Sequence, residues 1–96
     1  MTWAEACAYA GITNANQCRD MLMAHNKFNY FTKTDYGKYY VTSKGATTGY
    51  FYNRHNVFTT STTLKVSQEG REWLLENRDW FNTNTQKFIE DKTQPF

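Results

Sequence analysis

A chain of 96 residues has room for one hydrophobic core, and Leu, Ile, Val and Phe supply only sixteen of them, which excludes an interior built mainly from aliphatic side chains. Seven Tyr, seven Phe and three Trp make up the deficit, so the expectation is one small folded domain, residues 1–96, with an aromatic core supplemented by Ala and Met. The net charge of +2 is uneven: residues 1–67 hold seven Lys/Arg against three acids and residues 68–96 four against six, which directs an anionic partner to the first part.

Trp3, Ala6, Cys7 and Ala10 recur at helical spacing behind Thr2, a good N-cap, and Gly11 can end that helix with a left-handed backbone. Ile12 anchors the turn, and Thr13 or Asn14 caps a second helix over 14–25 with Ala15, Cys18, Leu22 and His25 on one face. Small residues on both stripes are expected to let the two helices cross closely, as in a helix-turn-helix. Both cysteines fall on apolar stripes, so they read as reduced core residues and not as a disulfide framework.

After His25 the composition turns to Tyr, Phe, Thr and Val, which suit strands. Residues 29–34 and 38–43 are expected to form a hairpin through Asp35-Tyr36-Gly37, followed by strands at 49–53, 56–59 and 62–66. Asn53 to Asn56 reads as a turn and Thr59 to Thr62 as a bend, which gives an antiparallel meander without an internal repeat. Ser67 then caps a helix in which Trp73, Leu74, Trp80 and Phe81 share a face, with Asn77 marking a buried amide or a break. The Asn82-Thr83-Asn84-Thr85 run is expected to end it, leaving a short turn at 87–91 and a frayed end from about residue 84.

The order helix, turn, helix, hairpin, strands and closing helix is that of a winged helix-turn-helix domain, an α+β fold, with the 29–43 hairpin as wing. Gly49-Tyr50-Phe51, Thr62-Thr63-Leu64, Val66-Ser67, Gly70 and Trp73-Leu74 occur in the order found in phage antirepressor C-terminal domains of the KilAC type, which this stretch resembles. The resemblance implies a phage-type regulatory protein that acts on DNA or on a host regulator.

In a winged helix the second helix enters the major groove and its outward side chains meet base edges. With Cys18 and Leu22 inward, Asn16, Gln17, Asp20, Ala24 and Lys27 point outward, with Arg19 on the flank. Asn and Gln suit adenine, and Arg19 and Lys27 suit phosphates. Lys33, Lys38, Lys44, Arg54 and His55 lie on the hairpins and can straddle the backbone. The expected DNA-binding set is Asn14, Asn16, Gln17, Arg19, Asp20, Lys27, Lys33, Lys38, Lys44 and Arg54. The plain alternative is a solvated helix face, with lysines that protect strand edges.

Cys7, Cys18, His25 and His55 match no zinc spacing, and no nucleophile elbow, phosphate-binding glycine loop or carboxylate pair is present, so neither a metal, a cofactor nor an enzyme is expected. No segment reads as a signal peptide or a membrane span, and the expected location is the cytoplasm, that of the host for a phage protein. The rival function is a small inhibitor or antirepressor that grips a regulatory protein, favoured by the low net charge, by Asp20 and by the tyrosines. Leu75, Phe88 and Phe96 point to self-association as a homodimer.

Overall fold

The computed structural model describes residues 1–24, 27–56, 58 and 61–93, so His25, Val57 and Thr59 of the expected 56–59 strand, Thr60 and Phe96 lie outside the described residues. Thr2 and Glu5 exchange side-chain and backbone hydrogen bonds of 2.9 and 3.2 Å, a reciprocal box that starts α1 (Trp3–Ala10). Gly11, at φ 78°, ends it as expected. α2 (Ala15–Ala24) follows, and Trp3, Ala6, Cys7, Ala10, Cys18, Met21 and Leu22 are buried. The close mutual crossing does not occur: α1 leans mainly on the fourth helix and α2 on the fifth. A direct tie between the pair is a bond of 2.7 Å from the Trp3 indole to the Ala15 carbonyl.

The middle of the chain is not one meander. β1 (Phe31–Lys33) and β2 (Tyr39–Val41) form one antiparallel hairpin, turned at Gly37 (φ 81°). A short helix, α3 (Ser43–Thr47), intervenes before β3 (Phe51–Asn56) and β4 (Ser61–Val66) form a second hairpin. Residues 53–56, expected as a turn, are strand. Asn53 explains why: its side-chain amide accepts from Val41 N at 2.8 Å and donates to Tyr39 O at 3.1 Å, supplying β2 with the pairing a neighbouring strand would give.

The second correction lies at the end of the chain. α4 (Gln68–Glu76) starts at the Ser67 cap and stops at Asn77, whose amide donates to the Trp73 carbonyl, but α5 then runs from Arg78 to Thr93, straight through 82–85. Low helix propensity loses here to tertiary contacts. Asn82 donates to Gly11 O and accepts from Thr13 N, both at 3.0 Å, while Phe81 and Thr85 are buried on the face toward α2.

The described residues also contain a repeat that the sequence conceals. Thr42 N donates to Tyr30 O and Ser67 N to Tyr50 O, both at 2.9 Å, and each hydroxyl caps a glycine N–H three residues on, at 3.1 Å. Each hydroxyl also donates to the carbonyl of a residue with positive φ, Asn29 in one half and Gly49 in the other. In both halves a Phe pairs with a Val, Phe31 with Val41 and Phe51 with Val66, and the two Phe rings meet at 4.9 Å. Hairpins of different length separate the two ends of each motif, so no fixed sequence period survives.

The interior is aromatic, as composition required: Trp3, Phe28, Phe31, Phe51 and Phe81 are all buried, while Tyr9, Tyr36 and Tyr52 remain exposed.

Candidate nucleic-acid interface

Tyr39, on β2, gathers three charged side chains around its ring and hydroxyl. Its hydroxyl donates to Asp20 Oδ1 at 2.7 Å, the Arg19 guanidinium lies 3.9 Å from its ring centroid, and the Lys33 ammonium lies 5.4 Å from it. An alternating strand beside an α-helix brings these groups together, although they come from different elements. Each cation–ring contact at such a half-exposed site contributes about 0.5–1 kcal/mol. Asp20, which as an outward carboxylate would have repelled phosphates, is held by this hydroxyl.

Beside Tyr39 is a groove of about 310 Å³ between the first hairpin, the start of α1 and β4. Arg19 and Lys38 supply its charge, Thr2, Thr62 and Thr63 its hydroxyls, and among the described residues no carboxylate lines it. Arg54 is exposed on the same hairpin as Thr63 and is its register partner. Arg19 is further fixed by donating to Asn16 Oδ1 at 3.3 Å, while its Nε is buried without a partner.

The ten expected residues therefore divide. Arg19, Lys33, Lys38 and Arg54 lie at or beside the groove and none has a carboxylate partner among the described residues. Asn14 and Asn16 are exposed at the start of α2. Gln17 is half-buried with its Oε1 enclosed, so it does not face outward, and neither does Asp20. The cause is packing on two flanks: β2 covers one side of α2 and α5 the other. Lys27 and Lys44 lie elsewhere, joined by a 2.9 Å bond from Lys44 Nζ to Lys27 O, with the Lys27 ammonium 5.5 Å from the Trp80 ring. Sequence reasoning missed Thr62 and Thr63 and weighed Tyr39 only as one of several tyrosines, because nothing in their local spacing shows that they converge.

The thiols belong to the core. Burial pushes Cys7 up to about 12 from an ordinary value of 9.0, with the nearby Cys18 adding to the effect, and burial pushes Cys18 up to about 11, partly offset by the Thr85 hydroxyl. A raised thiol pKa means that the unfolded chain loses protons first, so stability is flat below about pH 9 and falls as the pH rises through the folded values. Urea unfolding at pH 7, 9 and 10.5 should show that decline; an unchanged midpoint would contradict it.

Comparison with protein-family models, with curated proteins and with solved structures finds no match. No helix among the described residues is long and apolar enough to cross a membrane.

Proposed function

We propose that this chain is a phage-type regulatory protein that binds duplex DNA as a winged-helix variant. The β1–β2 hairpin serves as wing, and the exposed start of α2, with Asn14 and Asn16, faces the bases. The observation that carries this reading is the acid-free groove holding Arg19 and Lys38, with Lys33 and Arg54 nearby. Spaced cations and hydroxyls of this kind suit successive phosphates. The residues on which the KilAC resemblance rests include those that build the junction from β4 into α4, namely Val66, Ser67 and Gly70.

Four phosphate contacts give a salt slope of about −3 to −4 in log K against log salt. Fluorescence anisotropy with random duplex DNA at two salt concentrations measures it. Lys38→Glu and Arg54→Glu should each weaken binding about tenfold and flatten the slope by about one or more, whereas Lys44→Glu should leave the slope unchanged. Absence of binding at low salt, or equal slopes in all variants, would reject the reading. A second reading, in which the scaffold grips a regulatory protein, has its own observation in the aromatic cavity beside Lys27.

A further inference from the structure

β4 has an edge that the protein itself pairs only in part. Ser67 N donates to Tyr50 O, so along the β3–β4 ladder Ser67, Lys65 and Thr63 turn their backbone groups toward β3, while Val66, Leu64 and Thr62 turn theirs to the opposite edge. Met1 occupies the first part of that edge. Val66 N donates to Met1 O at 2.7 Å, Met1 N donates to Val66 O at 3.2 Å, and Thr2 bridges to Lys65 in antiparallel register. Thr2 then caps α1, and the chain leaves the strand at Trp3. Among the described residues, no backbone group outside the hairpin bonds to Thr62 or to the Leu64 N–H.

The groove of about 310 Å³ opens along this remaining edge, lined by Thr62, Thr63 and Leu64 on one side and by Arg19, Lys38 and Tyr39 on the other. We infer that β4 here pairs with an extended acidic segment of a protein partner, which adds a strand to the β3–β4 hairpin. Backbone pairing supplies the affinity in such a mode and the alternate side chains supply the selection. Three residues of extended chain span about 10 Å, enough to meet both Thr62 and Leu64.

Two features choose this occupant. The first is the Thr62 carbonyl, an acceptor at the groove wall beside an N–H donor; a peptide backbone answers both, whereas phosphate oxygens answer only the donor. The second is charge. Leu64 is the register partner of Asn53, whose amide reaches β2, so the inner face of β4 is the one toward Tyr39 and its neighbours. Guest residues beside Thr62 and Leu64 project to that face, where Lys38 is exposed and the Arg19 guanidinium rests on the Tyr39 ring. Carboxylates at every second position therefore meet two cations. Glu5 and Asp20 do not line the groove: the Glu5 carboxylate accepts from Thr2 N and that of Asp20 from the Tyr39 hydroxyl. The inference goes beyond the DNA reading, since it needs the strand edge and its cations but no duplex.

The test contains no DNA, so its outcome is separate from that of the proposed function. In 1H–15N spectra at low salt, N-acetyl-Glu-Val-Glu-Val-Glu-amide should move the Thr62 and Leu64 amide resonances with Kd on the order of 0.1–1 mM and leave that of Leu74, on α4, in place. The same peptide methylated at its glutamate nitrogens keeps the charge and loses the donors that face β4; it should bind about fivefold more weakly or worse. Thr62→Pro removes an outward N–H while sparing the ladder with β3, and should weaken the unmodified peptide by a similar factor. Lys38→Glu should cost about two- to fivefold, and N-acetyl-Lys-Val-Lys-Val-Lys-amide should not bind. Equal binding of the methylated and unmethylated acidic peptides would make the groove a general anion site and overturn the inference, whether or not Thr62→Pro folds. So would the absence of shifts with the acidic peptide, or equal binding of the lysine peptide.

Discussion

Replacing Trp3 with alanine is expected to lower the unfolding free energy by about 4–6 kcal/mol, a large share of the roughly 5–14 kcal/mol available to a domain of this size. The side chain is 3% exposed and packs edge-on to Phe31 at 5.9 Å and tilted against Phe51 at 6.1 Å, so it touches the first strand of each hairpin from α1. Truncation removes about 3–5 kcal/mol through lost burial and the cavity it leaves. The indole bond to Ala15 O adds about 1 kcal/mol. Trp3→Phe separates the two contributions, because it keeps an aromatic ring and loses the N–H. Urea unfolding followed by circular dichroism measures both variants; a loss below about 1 kcal/mol for Trp3→Ala would show that the tryptophan does not join the hairpins to the helices.

Gly45→Ala and Gly70→Ala should both destabilise, by about 1–3 kcal/mol each, although both glycines are helical. At an ordinary helix position the exchange would gain about 1 kcal/mol. Here the added methyl carbon of residue 45 would lie 2.3 Å from Tyr30 O, and that of residue 70 would lie 2.3 Å from Tyr50 O, with a valine methyl at 2.9 or 2.8 Å behind it. Neither backbone carbonyl can withdraw freely, because each accepts a bond from the cap residue of its own helix. Overpacking therefore outweighs propensity. The informative comparison is between the two variants: similar losses follow from the repeated architecture, and a stabilising Gly45→Ala would show that the first copy is looser than its geometry indicates. Thermal unfolding of the pair supplies the comparison.

Local chemistry was legible from the sequence alone: the Thr2 and Ser67 caps, the glycine that ends α1, the glycine turn at residue 37, the buried stripe of the first helix and the aromatic composition of the core, while Asn77 was read as either a buried amide or the break that it is. These features are decided within about four residues of one another, where backbone geometry and hydrogen-bond reach do most of the work. The continuous α5, the strand at 53–56, the repeated hairpin junction and the groove were decided by the tertiary structure. Asn82 finds Gly11 across 71 positions, Asn53 finds Tyr39 across 14, and Tyr39 finds Asp20 across 19. A polar residue that reads as a turn or a break becomes regular structure when a distant backbone group satisfies its amide, and only the folded chain reveals which group that is.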